Sequence, residues 1–230
     1  ATHARQAHRV SALAIDETTR FTPQTISLKA KPANGGYVLG GTKTLVHEGG
    51  VADLFVVATR TSGSTADDAG ITLFLVPGDA AGLTRDQRKL IDSRGYADVT
   101  FTDVKVTSNA VLGKVGHGRA VMSTMLDRAT AATAAEAFGL AVQAFETTLD
   151  YLKTRTQFGQ VIGTFQALQH RMAKMFTDIQ LARPCLEAAL NGLDQNDPET
   201  SAAVSLAKAK VNHLVHSISR EMIQLHGGIG

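Results

Sequence analysis

The feature that most constrains this chain is a change of hydrophobic period part-way along it. Up to about Leu112 the apolar residues come in short, alternating runs, whereas beyond about Gly116 they recur every three or four positions. One element type cannot bury both patterns. The first part contains VSALAI, TISLKA, GYVLG, TKTLV, DLFVVATR, ITLFLVP and ADVTFTDVKV, rich in Val, Ile, Thr and Phe and separated by Gly, Pro, Asn and Asp. This predicts strands from about His8 onward, in an antiparallel barrel or sandwich. Gly40 and Gly41 are expected to form a tight turn, Lys43 to be a solvated strand residue, and Ser62 to Gly70 to be an exposed, mobile loop.

The second part predicts three long helices. The first runs through an alanine-rich stretch with Val121, Met125, Phe138, Val142, Phe145 and Leu149 inward. The second carries a stripe of Phe165, Leu168, Met172, Met175, Ile179, Leu186 and Leu190. Pro184 falls inside that stripe and lacks a backbone donor, so a kink or helix end is expected near Arg183. The third begins after Asn196, with Asp197 as cap and Pro198 at the first helical position, and points Val204, Val211, Leu214, Ile218, Met222 and Leu225 inward. The fold class is therefore α+β multidomain: an antiparallel β-barrel or sandwich over residues 1–112, then a helical, four-helix-bundle-type domain over residues 113–230.

Composition excludes several function classes. The formal charge is only +2 and the basic residues are interspersed with acidic ones, so no nucleic-acid partner is implied. No apolar run approaches the roughly 18 residues of a membrane span. The single Cys185 rules out an internal disulfide framework and favours a reducing compartment, and no signal segment opens the sequence, so a cytoplasmic protein is expected. His170 and Met175 lack a second ligand at metal spacing, so no metal site is expected.

Chemistry concentrates between Tyr151 and Arg183, in YLKTRTQFGQVIGTFQALQHRMAKMFTDIQLAR. Arg155 offers a planar, permanently charged fork that matches phosphate oxygens, or it caps a helix C-terminus. Phe158 offers a flat face for a base or for a neighbouring side chain. Glycines in the closing LHGGIG, Leu225 to Gly230, let backbone amides approach a phosphate, or they simply end a helix.

These two motifs in this order resemble the flavin-dependent acyl-CoA dehydrogenases, whose C-terminal helical domain carries Y-x3-R-x-Q-F-G-x2-I-x2-F-Q and a later Q-x2-GG-x-G turn. GYVLGGTKTLVHEGGVADLFVVATR is similar to the family's strand hairpin and flavin-facing strand, and FTDVKV then NAVLG to its passage into the first long helix. The resemblance implies an N-terminal helical domain, absent from this sequence, a middle β-domain and a tetramerising C-terminal bundle, so that the chain looks like part of a longer protein. It implies FAD as cofactor, with Arg155, Gln157, Phe158, Gln224, Gly227 and Gly228 holding adenine, ribose and pyrophosphate of an FAD bound mostly by a neighbouring subunit. The implied substrate is an acyl-CoA thioester. Its α-proton would go to a Glu expected beyond Gly230 and its β-hydride to the flavin; the electron-transfer partner is not specified.

The departures are on the strand side. Where the family has T-E-P-x-A-G-S-D, this chain has Asp16 to Pro23, keeping Glu17 and the hydroxyl of Thr22, the one substrate-contacting position the resemblance implies here. Asp16 replaces a neutral donor, and Leu45 and His47 stand where an aromatic and a Thr or Ser meet the flavin. An alternative base position on the first long helix is occupied by Ala129, followed by Thr130, and Glu136 reads as a surface or interhelical carboxylate. The function implied is a FAD-dependent acyl-CoA dehydrogenase subunit, in a homo- or heterotetramer, acting in lipid metabolism. The alternatives are a non-catalytic partner subunit completing a neighbour's FAD site, and an acyl-CoA oxidase.

Overall fold

The computed structural model describes residues 9–92 and 94–229, so the expected strand start at His8 and the last glycine of the LHGGIG turn lie outside the described residues. The chain divides between Ser123 and Thr124 into two compact units.

The first unit is built on strands β1 (Ser11–Ala14), β2 (Lys29–Ala33), β3 (Gly36–His47), β4 (Leu54–Arg60), β5 (Ile71–Pro77), β6 (Leu83–Arg88), β7 (Tyr96–Thr107) and β8 (Val111–Leu112). They form one sheet in the order β6-β7-β3-β2-β4-β5-β8, with β1 added to β4. Two features bear on the expected antiparallel barrel or sandwich: the sheet is not closed into a barrel, and it is not wholly antiparallel. The path ends at β6 and β8, which do not pair with each other among the described residues; β8, two residues long, has its ladder taken up by β5. And β1 runs parallel to β4, as does β2 at Lys29 and Arg60. A parallel neighbour needs a long connection, and the whole β2–β3 hairpin lies between β1 and β4.

The glycines are used differently from expectation. The hairpin between β2 and β3 turns at Asn34 and Gly35, the latter at φ 78°. Gly40 and Gly41 instead lie inside one continuous β3, where the pairing with β7 shifts register between Leu39 and Gly41. Gly41 has φ 141°, and a Cβ there would stand 3.0–3.3 Å from Leu28. This is a bulge rather than a turn. A second shift, between Lys43 and Val46, holds Leu45 at φ 51°.

Alternation along these strands buries Leu39, Val46, Phe55, Val57, Phe74, Val76, Val99, Phe101 and Val104 as one core. Two cations share the interior. Lys43, expected in solvent, is fully buried: its Nζ donates to the Ile15 carbonyl at 2.8 Å and to Glu17 Oε1 at 2.7 Å. Burial pushes this ammonium down to about 8, against the pull of the Glu17 and Asp16 carboxylates. Glu17 also accepts from the Ser27 and Leu28 amides, at 2.9 Å each, and from the Ser27 hydroxyl. Arg60, 6% exposed, donates to the carbonyls of Ile26, Thr65, Asp67 and Ala69. Three of these four carbonyl bonds therefore tie down the segment read as mobile, and Arg119 adds an ion pair to Asp68 at 3.2 Å.

The helices are α1 (Gly118–Thr154), α2 (Gln166–Gln195) and α3 (Thr200–His226). The core of the second unit joins Phe138, Ala141 and Leu152 to Met172, Met175 and Ile179 and to Val211, Leu214 and Ile218. On α1 much of the buried face is alanine, at Ala131, Ala134 and Ala141, while Val121 is exposed. Pro184 does not end α2, because Ile179, Ala182, Leu186 and Ala189 are buried on both sides of it and tertiary packing offsets the one lost hydrogen bond. The expected start of α3 moves from Pro198 to Thr200. Asp197 organises the turn instead, its carboxylate accepting from the Glu199 amide at 2.8 Å after Asn196 ends α2 in the left-handed region.

The Lys43–Glu17 pair generates a prediction. Burial raises the Glu17 carboxyl, but the charge of Lys43 and the hydrogen bonds from Lys43, Ser27 and Leu28 outweigh it and hold the group below its ordinary 4.5. A depressed carboxylate contributes stability above its unfolded value that is lost as pH falls through the folded one. Glu17→Gln, which strands a buried ammonium, is expected to cost about 3 kcal/mol at pH 7 and to flatten the acid limb below pH 4.5. Urea unfolding at pH 7 and across pH 3–5 measures both.

Candidate functional site

The site is made where the chain reverses between α1 and α2. Arg155 follows the last turn of α1, its amide donating to the Tyr151 carbonyl at 2.9 Å and its carbonyl accepting from Ile162 at 2.9 Å. Between these bonds lies a two-stranded hairpin, β9 (Thr156–Gln157) with β10 (Gln160–Val161), in which Gln157 faces Gln160 across a two-residue turn. The central residues are Phe158 and Gly159, with φ 56° and 78°. Positive φ at both positions is what a type I′ hairpin turn demands, and Asn-Gly normally supplies it. An aromatic residue held there costs on the order of 1 kcal/mol or more in backbone strain. It is also 87% exposed, so burial does not repay that cost. Its only aromatic neighbour among the described residues is Phe165, edge-on at 6.2 Å.

Opposite the hairpin, α3 ends at Gly227, whose φ of 65° stops the helix and whose amide donates to the Gln224 carbonyl. Among the described residues, a Cβ built on Gly227 or Gly228 meets no atom beyond its chain neighbours within 4 Å, so this turn has room beside it. Hairpin and turn together bound a concavity of about 930 Å³, lined by Arg155, Gln157, Phe158, Gly227 and Gly228 with apolar walls that include Ile162, Phe165, Leu168 and Leu225. Arg155 is half-buried in it, and among the described residues its guanidinium makes no hydrogen bond or ion pair. An unpaired, partly desolvated cation in an apolar hollow calls for an anion. No group of His, Cys, Asp or Glu able to hold a metal occurs among the described residues.

Five of the six residues implied for the cofactor thus line one hollow. Gln224 lines none of it; its side chain is exposed one turn back, and its backbone carbonyl serves as the acceptor that ends α3. Sequence reasoning passed over Tyr151 and His226. Their rings stack at 4.3 Å with 24° between planes, and both line the hollow. The signal was present: Tyr151 opens the first motif and His226 directly precedes the paired glycines of the second.

Thr22 and the departures on the strand side lie in the first unit. The Thr22 hydroxyl is spent locally, donating to the Arg20 carbonyl at 3.3 Å and meeting the Thr18 hydroxyl at 3.5 Å. Asp16 Oδ1 is buried without a hydrogen-bond partner among the described residues. Burial pushes the Asp16 carboxyl up, partly offset by a backbone hydrogen bond from Thr22 and by Lys43. Leu45 is held left-handed at the second bulge, its amide donating to Asp98 at 2.9 Å, while the His47 ring meets Tyr96 edge-on at 5.2 Å.

Comparison with known proteins decides the family. Residues 12–107 match the middle domain of acyl-CoA dehydrogenases, and residues 116–230 match their C-terminal domain. The chain belongs to the acyl-CoA dehydrogenase family. The mitochondrial short/branched chain specific acyl-CoA dehydrogenase of Bos taurus is 34% identical over 227 residues, 96% of this chain and 52% of the relative. Among solved structures, an acyl-CoA dehydrogenase from Geobacillus kaustophilus aligns with a TM-score of 0.88 at 30% identity, covering 96% of this chain and 59% of that one. The butyryl-CoA dehydrogenase of Megasphaera elsdenii gives 0.90 at 26% identity, covering 96% and 58%. This acyl-CoA dehydrogenase-family chain spans about half the length of the curated relatives it matches. Among the described residues no helix is long and apolar enough to cross a membrane.

The strain at the hairpin can be read directly. Phe158→Asn is expected to raise the melting temperature, by about 1 kcal/mol of stability, while removing the exposed face. Calorimetry on the variant checks this, and an unchanged or lowered melting temperature would show that the turn is not strained.

Proposed function

We propose that this chain is a subunit of a FAD-dependent acyl-CoA dehydrogenase that desaturates an acyl-CoA thioester between its α and β carbons. In this proposal the concavity on the helical unit takes the adenosine and pyrophosphate end of FAD from a neighbouring subunit. The observation that carries it is the half-buried, unpaired Arg155 beside an aromatic held at a strained turn. The residues fit that end of the cofactor. Arg155 supplies charge to the pyrophosphate, Phe158 a face for the adenine, and the turn at Gly227 and Gly228 leaves room for close approach, with Gln157 beside them on the hairpin; Gln224, outside the hollow, is proposed to meet the cofactor from one turn back. When bound, FAD supplies the hydride acceptor. The α-proton would go to a Glu beyond Gly230, and Thr22 would face the thioester. A β-domain over 1–112 with a helical domain over 113–230, assembly as a tetramer and a cytoplasmic setting belong to the same proposal.

The second reading is a partner subunit that completes a related subunit's FAD site without holding a flavin ring itself. Asp16 supports it: a buried carboxylate oxygen with no donor suits poorly the negative charge of a reduced flavin. Leu45 and His47 point the same way.

Two measurements test these readings on the intact assembly. Arg155→Ala is expected to weaken FAD binding by about 2 kcal/mol, roughly thirty-fold, with circular dichroism unchanged; an unaltered flavin-to-protein ratio would remove the first proposal. Flavin stoichiometry separates the two readings. One FAD per chain in the pure homo-oligomer, reduced by an acyl-CoA, favours the dehydrogenase. Fewer flavins than chains, restored by co-expression with a relative that keeps T-E-P-x-A-G-S-D, favours the partner subunit.

A further inference from the structure

His226 is fixed more completely than any other polar group lining the concavity. Its ring lies on Tyr151 at 4.3 Å, and the Tyr151 hydroxyl donates to the His226 carbonyl at 3.3 Å, so side chain and backbone are both tied to α1. Its Nδ1 is 2.8 Å from the Met222 carbonyl. A carbonyl only accepts, so Nδ1 carries a proton, and the tautomer this contact selects has its lone pair at Nε2. Among the described residues Nε2 has no hydrogen-bond partner, and the residue lines the same hollow as Arg155 and Phe158.

The hollow therefore offers three chemically different handles: a cationic fork at Arg155, a flat apolar face at Phe158 and a ring-nitrogen acceptor fixed in place at His226. A ligand matching all three has an anionic group, an aromatic ring and an uncharged donor within one small fragment. A nucleoside diphosphate meets this description, its ribose hydroxyls and exocyclic amine being the donors. We propose that His226 is a binding residue that reads the nucleoside rather than the phosphates, with Nε2 accepting from a ribose hydroxyl or the base amine while Arg155 takes the charge. This rests on the reading of the concavity as a nucleotide site. It adds selectivity: Arg155 alone would hold inorganic pyrophosphate as readily as a nucleotide, whereas His226 gains only from the nucleoside.

The test is calorimetric titration of the purified, intact assembly, freed of flavin, with ADP and separately with inorganic pyrophosphate. His226→Phe keeps a flat ring against Tyr151 and removes the acceptor. It is expected to weaken ADP about five- to ten-fold and leave pyrophosphate unchanged, whereas Arg155→Ala weakens both. His226→Gln, which restores a side-chain acceptor, is expected to recover at least half of the lost ADP affinity on a logarithmic scale. Unchanged ADP binding in His226→Phe, with Arg155→Ala still weakened, overturns the role of His226 and leaves the nucleotide reading standing. Equal weakening of ADP and pyrophosphate in His226→Phe, or equal loss in the Phe and Gln variants, also overturns it, because His226 would then act through charge or pocket shape. Failure of the parent assembly to bind either probe overturns both.

Discussion

The reversal between α1 and α2 is the constraint on which the helical unit depends. Two long helices whose buried faces must meet leave the chain little slack between Thr154 and Gln166, and it uses that slack in a hairpin closed by two residues at positive φ. The same geometry that closes the core lifts Phe158 out of it and leaves Arg155 between two backbone hydrogen bonds with its side chain uncommitted. Packing and site are therefore one structure here. The end of α3 completes it, since Tyr151 couples to His226 by ring and by hydroxyl and so fixes the glycine turn against the hairpin.

The sheet unit solves a different problem, the satisfaction of carbonyls in irregular segments. Residues 15–28 and 61–70 have little ladder of their own, and buried carbonyls without donors are costly. Two long cations enter the interior to serve them: Lys43 reaches Ile15 and Glu17, and Arg60 reaches four carbonyls. A buried lysine sharing its charge with one carboxylate is a stiff join, since removing either partner strands the other.

How much of this was legible follows from the range of the forces involved. The two-part organisation and the helical stripes were readable because they rest on local periodicity, and the family motifs because residue type and spacing carry them. The five residues that line the hollow were found as a set. What failed was long-range. Gly40 and Gly41 form a bulge because β7 and Leu28 lie against β3, and nothing within a few residues of them says so. Lys43 is buried because Glu17 lies across from it, and a lysine at a strand position otherwise reads as solvent-facing. The parallel pairing of β1 with β4 has no local signature at all. His226 escaped notice because its significance depends on a ring that lies 75 residues earlier in the chain.

The topology of the sheet also sets an order of events during folding. β3 pairs with β7 along its length, from Gly36 against Thr107 to His47 against Tyr96, so the central ladder cannot close until nearly the whole first unit has been synthesised. The pairing of α2 with α3 needs only the short connection around Asn196, and low sequence separation favours rapid closure. On the ribosome the unit that emerges first is the slower one to complete its contacts, and it waits with β4 and β5, the most apolar strands, already outside the tunnel. The antiparallel β4–β5 pair, joined by the segment that Arg60 ties down, is the piece able to form early and shield those strands from other chains.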